Sequence, residues 1–99
     1  MTAILRIEHP VADFDRWHEA FRSDPVGRER GGVQRYRIMR SGEDPNDVLI
    51  DLEFDTPQLA EEFLERLRRL WERVDVIRDP SARIVELVEQ RSVTSPERA

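Results

Sequence analysis

Cysteine and lysine are both missing from this 99-residue chain. Without cysteine there is no disulfide, no thiolate metal site and no cysteine nucleophile, and the composition suits a reducing compartment. Without lysine all sixteen basic residues are arginine, which excludes lysine Schiff-base chemistry and matches the codon bias of a GC-rich bacterial genome. Glycine is scarce, with four residues, and Gly31-Gly32 precede a strand pattern rather than a helix, so no phosphate-cradling loop is present. No apolar run approaches the roughly 20 residues that span a bilayer. The N-terminus lacks a basic segment followed by an apolar one, so a cytoplasmic protein without membrane contact is expected. An excess of positive charge is lacking too: 21 acidic residues against 16 basic give a net charge of -5, which argues against a nucleic-acid partner.

The chain is long enough for one domain, burying about 65% of the surface its unfolded form exposes. That domain is expected over residues 1–89, followed by a polar tail at 90–99. "TAILRIEH", Thr2 to His9, alternates as a strand does and stops at Pro10. Phe14, Trp17, His18 and Phe21 then recur at i, i+3, i+4 and i+7, which predicts a helix over 14–23 capped by Asp13. The stretch from Asp24 to Gly32 is polar and punctuated by Pro25 and three glycines, so it reads as an irregular connection. "VQRYRIMR" and "VLIDLEFD" are strand-patterned runs about the turn-forming "SGEDPND", an antiparallel hairpin. Thr56 and Pro57 open a second helix whose stripe of Leu59, Phe63, Leu67, Leu70, Trp71 and Val74 spans about 18 residues, or roughly 27 Å. After a loop near Asp79 and Pro80, "ARIVELVE" is the last strand.

The order is β-α-β-β-α-β, the ferredoxin-like arrangement of α+β class: a four-stranded antiparallel sheet with two helices on one face. The helix-facing set is expected to be Leu5 and Ile7, Tyr36 and Ile38, Ile50 and Leu52, and Val85 and Leu87. The uncovered face would then hold Ile4, Val33, Met39, Leu49, Ile84 and Val88 among Arg6, Glu8, Arg35, Arg37, Asp51, Glu53 and Glu86. Two helices cannot cover both faces, and so apolar a back is expected to be an interface, with Arg35, Arg37, Asp51 and Glu53 pairing at a homodimer contact.

These features together resemble the dimeric α/β-barrel superfamily, especially the small bacterial proteins grouped with antibiotic-biosynthesis monooxygenases and often labelled cyclases. The resemblance lies in "VADFDRWHEAF", "GGVQRYRIMRSGEDPNDVLIDLEFD" with its "DPN" loop, the amphipathic second helix and "ARIVELVE". It implies two sheets packed face to face into a barrel and, in each subunit, a ligand cavity between sheet and helices. Trp17, Phe21, Ile50, Leu52, Phe63, Leu67 and Trp71 would line that cavity and favour a flat aromatic ligand. For Phe14, Phe21, Phe63 and Leu67 plain core is the expected role. The candidate catalytic groups are His18, on the apolar stripe, His9, closing the first strand, and Tyr36, whose hydroxyl can donate a hydrogen bond. Each also has a bland role: a half-buried helix histidine, a strand-end residue, a packed ring. The Asn, Trp and His set of the cofactorless oxygenases has no counterpart here, since the first strand carries Glu8 and His9 and the second helix has no histidine. No cofactor and no metal is assigned, because ligating residues do not cluster at recognisable spacing. Two functions stay open: a dimeric monooxygenase or cyclase acting on an aromatic, polyketide-like molecule, or a non-catalytic small-molecule-binding or interaction module.

Overall fold

The computed structural model describes residues 1–73 and 80–93. The elements run β1 (Ala3–Pro10), α1 (Phe14–Arg22), β2 (Arg35–Arg40), β3 (Asp47–Phe54), α2 (Pro57–Arg73) and β4 (Ser81–Glu86). The strands form one antiparallel sheet in the order β2-β3-β1-β4. This is the ferredoxin-like βαββαβ fold that the sequence pattern predicts. Val74 and Asp79, assigned above to the second helix and the following loop, lie outside the described residues, as do residues 94–99 of the tail.

Local chemistry sets the element ends. The Asp13 carboxylate accepts from the Asp15 and Arg16 backbone N–H groups at 3.0 and 3.4 Å and starts α1. Thr56 Oγ1 accepts from the Leu59 N–H at 3.2 Å, with Pro57 as the first residue of α2. In the hairpin the Asp47 N–H returns to the Asp44 carbonyl at 3.0 Å across Pro45 and Asn46, a turn with Asp and Pro where turns favour them.

The core lies between the sheet and α2. Pairing Ala3 with Phe54, Leu5 with Leu52, Ile7 with Ile50 and His9 with Val48 puts all eight residues on the helix side, every one of them buried. Ala60, Phe63 and Leu64 of α2 close over them, with the Phe54 and Phe63 ring centroids 5.5 Å apart. By contrast α1 buries no residue completely; it stands off the sheet on half-buried Phe14, Trp17 and Phe21.

Two expectations about the faces need correction. Val85 and Leu87 do not face the helices. Leu5 pairs with Ile84 and Ile7 with Ala82, so Ala82 and Ile84 pack on the core, and Val85 sits opposite Ile4 on the back. "RIVEL" carries apolar residues in both parities, so its register is decided by the pairing with β1 and not by its own alternation. Val33 does not belong to the back face either. Its N–H bonds to the Arg28 carbonyl at 3.0 Å, closing a loop ahead of β2, and its side chain packs against the core.

The back face carries Arg6, Arg35, Arg37 and Arg83 against Glu8, Asp47, Asp51 and Glu53, with Ile4, Leu49, Met39 and Val85 between them. Asp51, buried to 4% exposure, takes a two-pronged contact from Arg6 (Nε and Nη2, both 2.8 Å) and another from Arg37 at 3.0 Å. Arg35 pairs with Glu53 at 3.0 Å. The arginine contacts, of which Arg6 is the strongest, hold the Asp51 carboxyl below the ordinary carboxylate range. At the strand end Glu8 shares a hydrogen bond with Asp47, and two carboxyls so close raise the pKa of Glu8. No helix among the described residues is long and apolar enough to cross a membrane.

Candidate functional site

Because α1 stands clear of the sheet, an apolar cavity of about 300 Å³ remains beneath it. Its floor is the helix-side row Ile7, His9, Ile50 and Leu52; one wall is Phe63, Leu67, Leu70 and Trp71 of α2, and the roof is Trp17, Ala20 and Phe21. All seven side chains named above for a ligand pocket, Trp17, Phe21, Ile50, Leu52, Phe63, Leu67 and Trp71, border this one space. The spacing explains why: Trp17 and Phe21 are one helical turn apart on the inner stripe of α1, and Phe63, Leu67 and Trp71 repeat every four residues along α2.

The three polar candidates are not brought together. His9 lines the cavity and is 2% exposed. His18, half-buried, lies beside it in sequence space only: its ring packs on Phe14 at 5.2 Å and on Trp17 at 6.3 Å, and it is not among the cavity's lining residues. On a helix, consecutive residues point about 100° apart, so when Trp17 faces inward His18 is turned to the flank. Tyr36 is 45% exposed, meets Phe21 edge-on at 5.3 Å and borders a shallower outer hollow.

The state of His9 follows from its surroundings. Burial lowers its pKa below 6.5, outweighing its bond to the Pro10 carbonyl and the nearby charge of Asp47, so the ring is neutral at pH 7. The Pro10 carbonyl, 3.2 Å from Nδ1, can only accept; the hydrogen therefore sits on Nδ1 and the lone pair on Nε2. Among the described residues no buried side-chain nitrogen or oxygen is without a partner, and the bond to Pro10 is the only one His9 makes. Nε2 makes no bond to a described residue, and the cavity is the open space that His9 lines. Trp17 holds the imidazole edge-on, with centroids 5.7 Å apart.

The mouth is formed by Ser23, which the sequence pattern assigned to the end of the helix and which instead caps α1, and by Asp24, Pro25, Val26 and Arg28, which it passed over as an irregular connection. Asp24 Oδ1 accepts the Arg28 backbone N–H at 2.8 Å, and Arg28 Nη1 donates to the Phe21 carbonyl at 2.7 Å, tying this strap to α1. An aspartate four residues before an arginine, around a proline and an isolated valine, was the available signal. No group of three His, Cys, Asp or Glu among the described residues is placed to hold a metal ion.

No protein-family model and no curated protein matches the sequence. Solved structures do match, and several are candidate antibiotic-biosynthesis monooxygenases. A dimeric ferredoxin-like protein from an uncultured marine organism is 11% identical over 94% of this chain and 93% of its own, with a TM-score of 0.65. SnoaB, a cofactor-independent oxygenase from Streptomyces nogalater, is 10% identical over 95% and 98%, at 0.61. An MhuD variant holding two manganese protoporphyrin IX molecules per active site is 9% identical over 92% and 99%, at 0.70. The protein has the fold of these antibiotic-biosynthesis-monooxygenase-like proteins. Identities this low carry the fold and leave the activity to this chain's own residues.

Proposed function

We propose that the cavity beneath α1 binds a flat, largely apolar aromatic molecule and that the protein, as a homodimer packed through its sheet backs, acts on it as a cofactor-independent monooxygenase or cyclase. One observation carries this reading: a buried imidazole with a free Nε2 lone pair in the floor of an otherwise aromatic and aliphatic cavity of about 300 Å³. Such a nitrogen accepts the hydroxyl proton of a phenol or enol, and a neutral base is ready to do so at pH 7. The phenolate so formed is electron-rich enough to meet dioxygen. One oxygen atom enters at a ring methylene as a carbonyl, and the other leaves as water with that carbon's two hydrogens. Trp17 and Phe21 would sandwich the ring system, and the closed walls would keep bulk water from the anion. Three structural similarities support the reading: the candidate monooxygenases, the cofactor-independent oxygenase and the protein that holds planar macrocycles share this fold.

A second reading keeps the ligand and drops the reaction. It is favoured by the position of His18 and Tyr36 outside the cavity lining, which leaves, among the described residues, one titratable side chain, His9, in its apolar walls away from the mouth. Oxygen uptake with an anthrone separates the two. The catalytic reading expects one dioxygen consumed per anthrone and a loss of about 100-fold or more in rate for His9→Ala. Saturable quenching of Trp17 by the anthrone without uptake assigns the protein to binding alone, and absence of quenching removes both.

A further inference from the structure

The strap residue Arg28 is more elaborately held than a loop tie requires. Its guanidinium lies over the Phe21 ring at 4.0 Å and 5.0 Å from the centroid of Tyr36, and its side chain is 17% exposed. One nitrogen, Nη1, carries the strap bond to the Phe21 carbonyl and faces Asp24 Oδ1 at 3.5 Å. That separation is long for a charge-assisted bond, and the same oxygen already accepts the Arg28 backbone N–H at 2.8 Å. Among the described residues Nε and Nη2 have no partner and no polar side-chain atom is buried without one, which leaves this edge of the fork open to a ligand. Two rings and a carbonyl thus fix the plane of a cation at the cavity mouth while its paired donors stay free. A planar fork with two free parallel N–H donors matches a carboxylate or sulfonate.

We propose that Arg28 docks an anionic group of the cavity's ligand, so that the ligand class is the flat aromatic acids and not neutral polycycles. The proposal rests on the reading of the cavity as a ligand site. The acid group sits at the strap, the ring system lies under Trp17 and Phe21, and a hydroxyl at the far end meets His9 Nε2. Fixing the Arg28 plane in advance removes much of the ordering cost that a free arginine would incur on binding. Asp24, at the same mouth, opposes the anion, and its separation from Nη1 limits that opposition to the edge the ligand does not use.

A pair of dyes with the same aromatic body tests this: anilinonaphthalene sulfonate, which carries the acid, and phenylnaphthylamine, which lacks it. Binding is followed by energy transfer from Trp17 and Trp71, both in the cavity wall. The wild-type protein is expected to bind the sulfonate about tenfold more tightly, a preference that shrinks as salt is raised. Arg28→Gln should erase the preference by weakening the sulfonate alone, Arg28→Lys should keep part of it, and Arg40→Gln, on the outer side of Phe14, should leave it intact. If Arg28→Gln does not fold, the dye preference and its salt dependence in wild type decide. Equal affinity for the two dyes, or equal weakening of both by Arg28→Gln, overturns the proposal and leaves the cavity reading standing. Binding of neither dye overturns both.

Discussion

Among the described residues His9 and Asp51 are the two buried polar side chains, and each is stabilised by a different arrangement. His9 is kept neutral by burial. Because its folded pKa lies below the ordinary 6.5, the unfolded chain takes up the proton first as pH falls, so stability declines as pH drops from about 6.5 toward the folded value. Urea unfolding across that range should show the decline in wild type and a flatter profile in His9→Gln. Asp51 is kept charged by Arg6 and Arg37. Its lowered pKa adds stability above about 3.8 that is lost as pH falls through the folded value. Asp51→Asn removes the charge that both guanidiniums share; since both arginines are partly exposed, a loss of about 1–3 kcal/mol is expected at pH 7, shrinking as pH falls through the folded value of Asp51. The face of each of these residues was legible from strand alternation. What alternation did not separate was His9 from His18, since both fall on apolar patterns. Only the turning of α1, which points Trp17 inward and His18 to the flank, distinguishes them.

Segments with a clear period were read correctly, and segments without one were not. β1 and β3 alternate save for Ile4 and Leu49, and their facing residues stand where the pattern puts them; β4 has apolar residues in both parities and was assigned to the wrong face. The strap between α1 and β2 has no period at all, yet it forms the cavity mouth. Its path depends on Gly31: a Cβ there would come within 2.5 Å of Phe63 Cδ1, a ring that is buried and borders the cavity. Gly31→Ala should therefore force the strap off α2, at a cost of about 1–3 kcal/mol in urea unfolding, and weaken binding of aromatic dyes more than it disturbs the sheet. An alanine that left both unchanged would show that the strap does not bear on Phe63.

The proposed homodimer rests on the uncovered sheet. Ile4, Leu49, Met39 and Val85 interleave with four arginines and four carboxylates, and two of the named pairs, Arg35 with Glu53 and Arg37 with Asp51, already bond within one sheet. A second copy would therefore meet a surface whose charges are largely satisfied and on which Leu49, Met39 and Val85 are left to bury, Ile4 being buried already. Light scattering should give twice 11.7 kDa at micromolar concentration, and Glu53→Ala, which frees Arg35, should shift that equilibrium toward monomer before it lowers binding in the cavity. The fold was legible because periodicity and caps encode elements. The cavity was legible as a list of aromatics, while its emptiness was not, because whether such side chains fill a space depends on how far α1 stands from the sheet. The account turns on that space and on the lone pair of His9 within it. Nitrogen-15 NMR of the two imidazoles during titration with a naphthol tests both together, with His18 as the internal reference. The structure predicts a His9 ring protonated on Nδ1 and neutral at pH 7, with an Nε2 signal that moves on naphthol binding while His18 stays still. A His9 that titrates at the ordinary value of 6.5 and ignores the naphthol would contradict it.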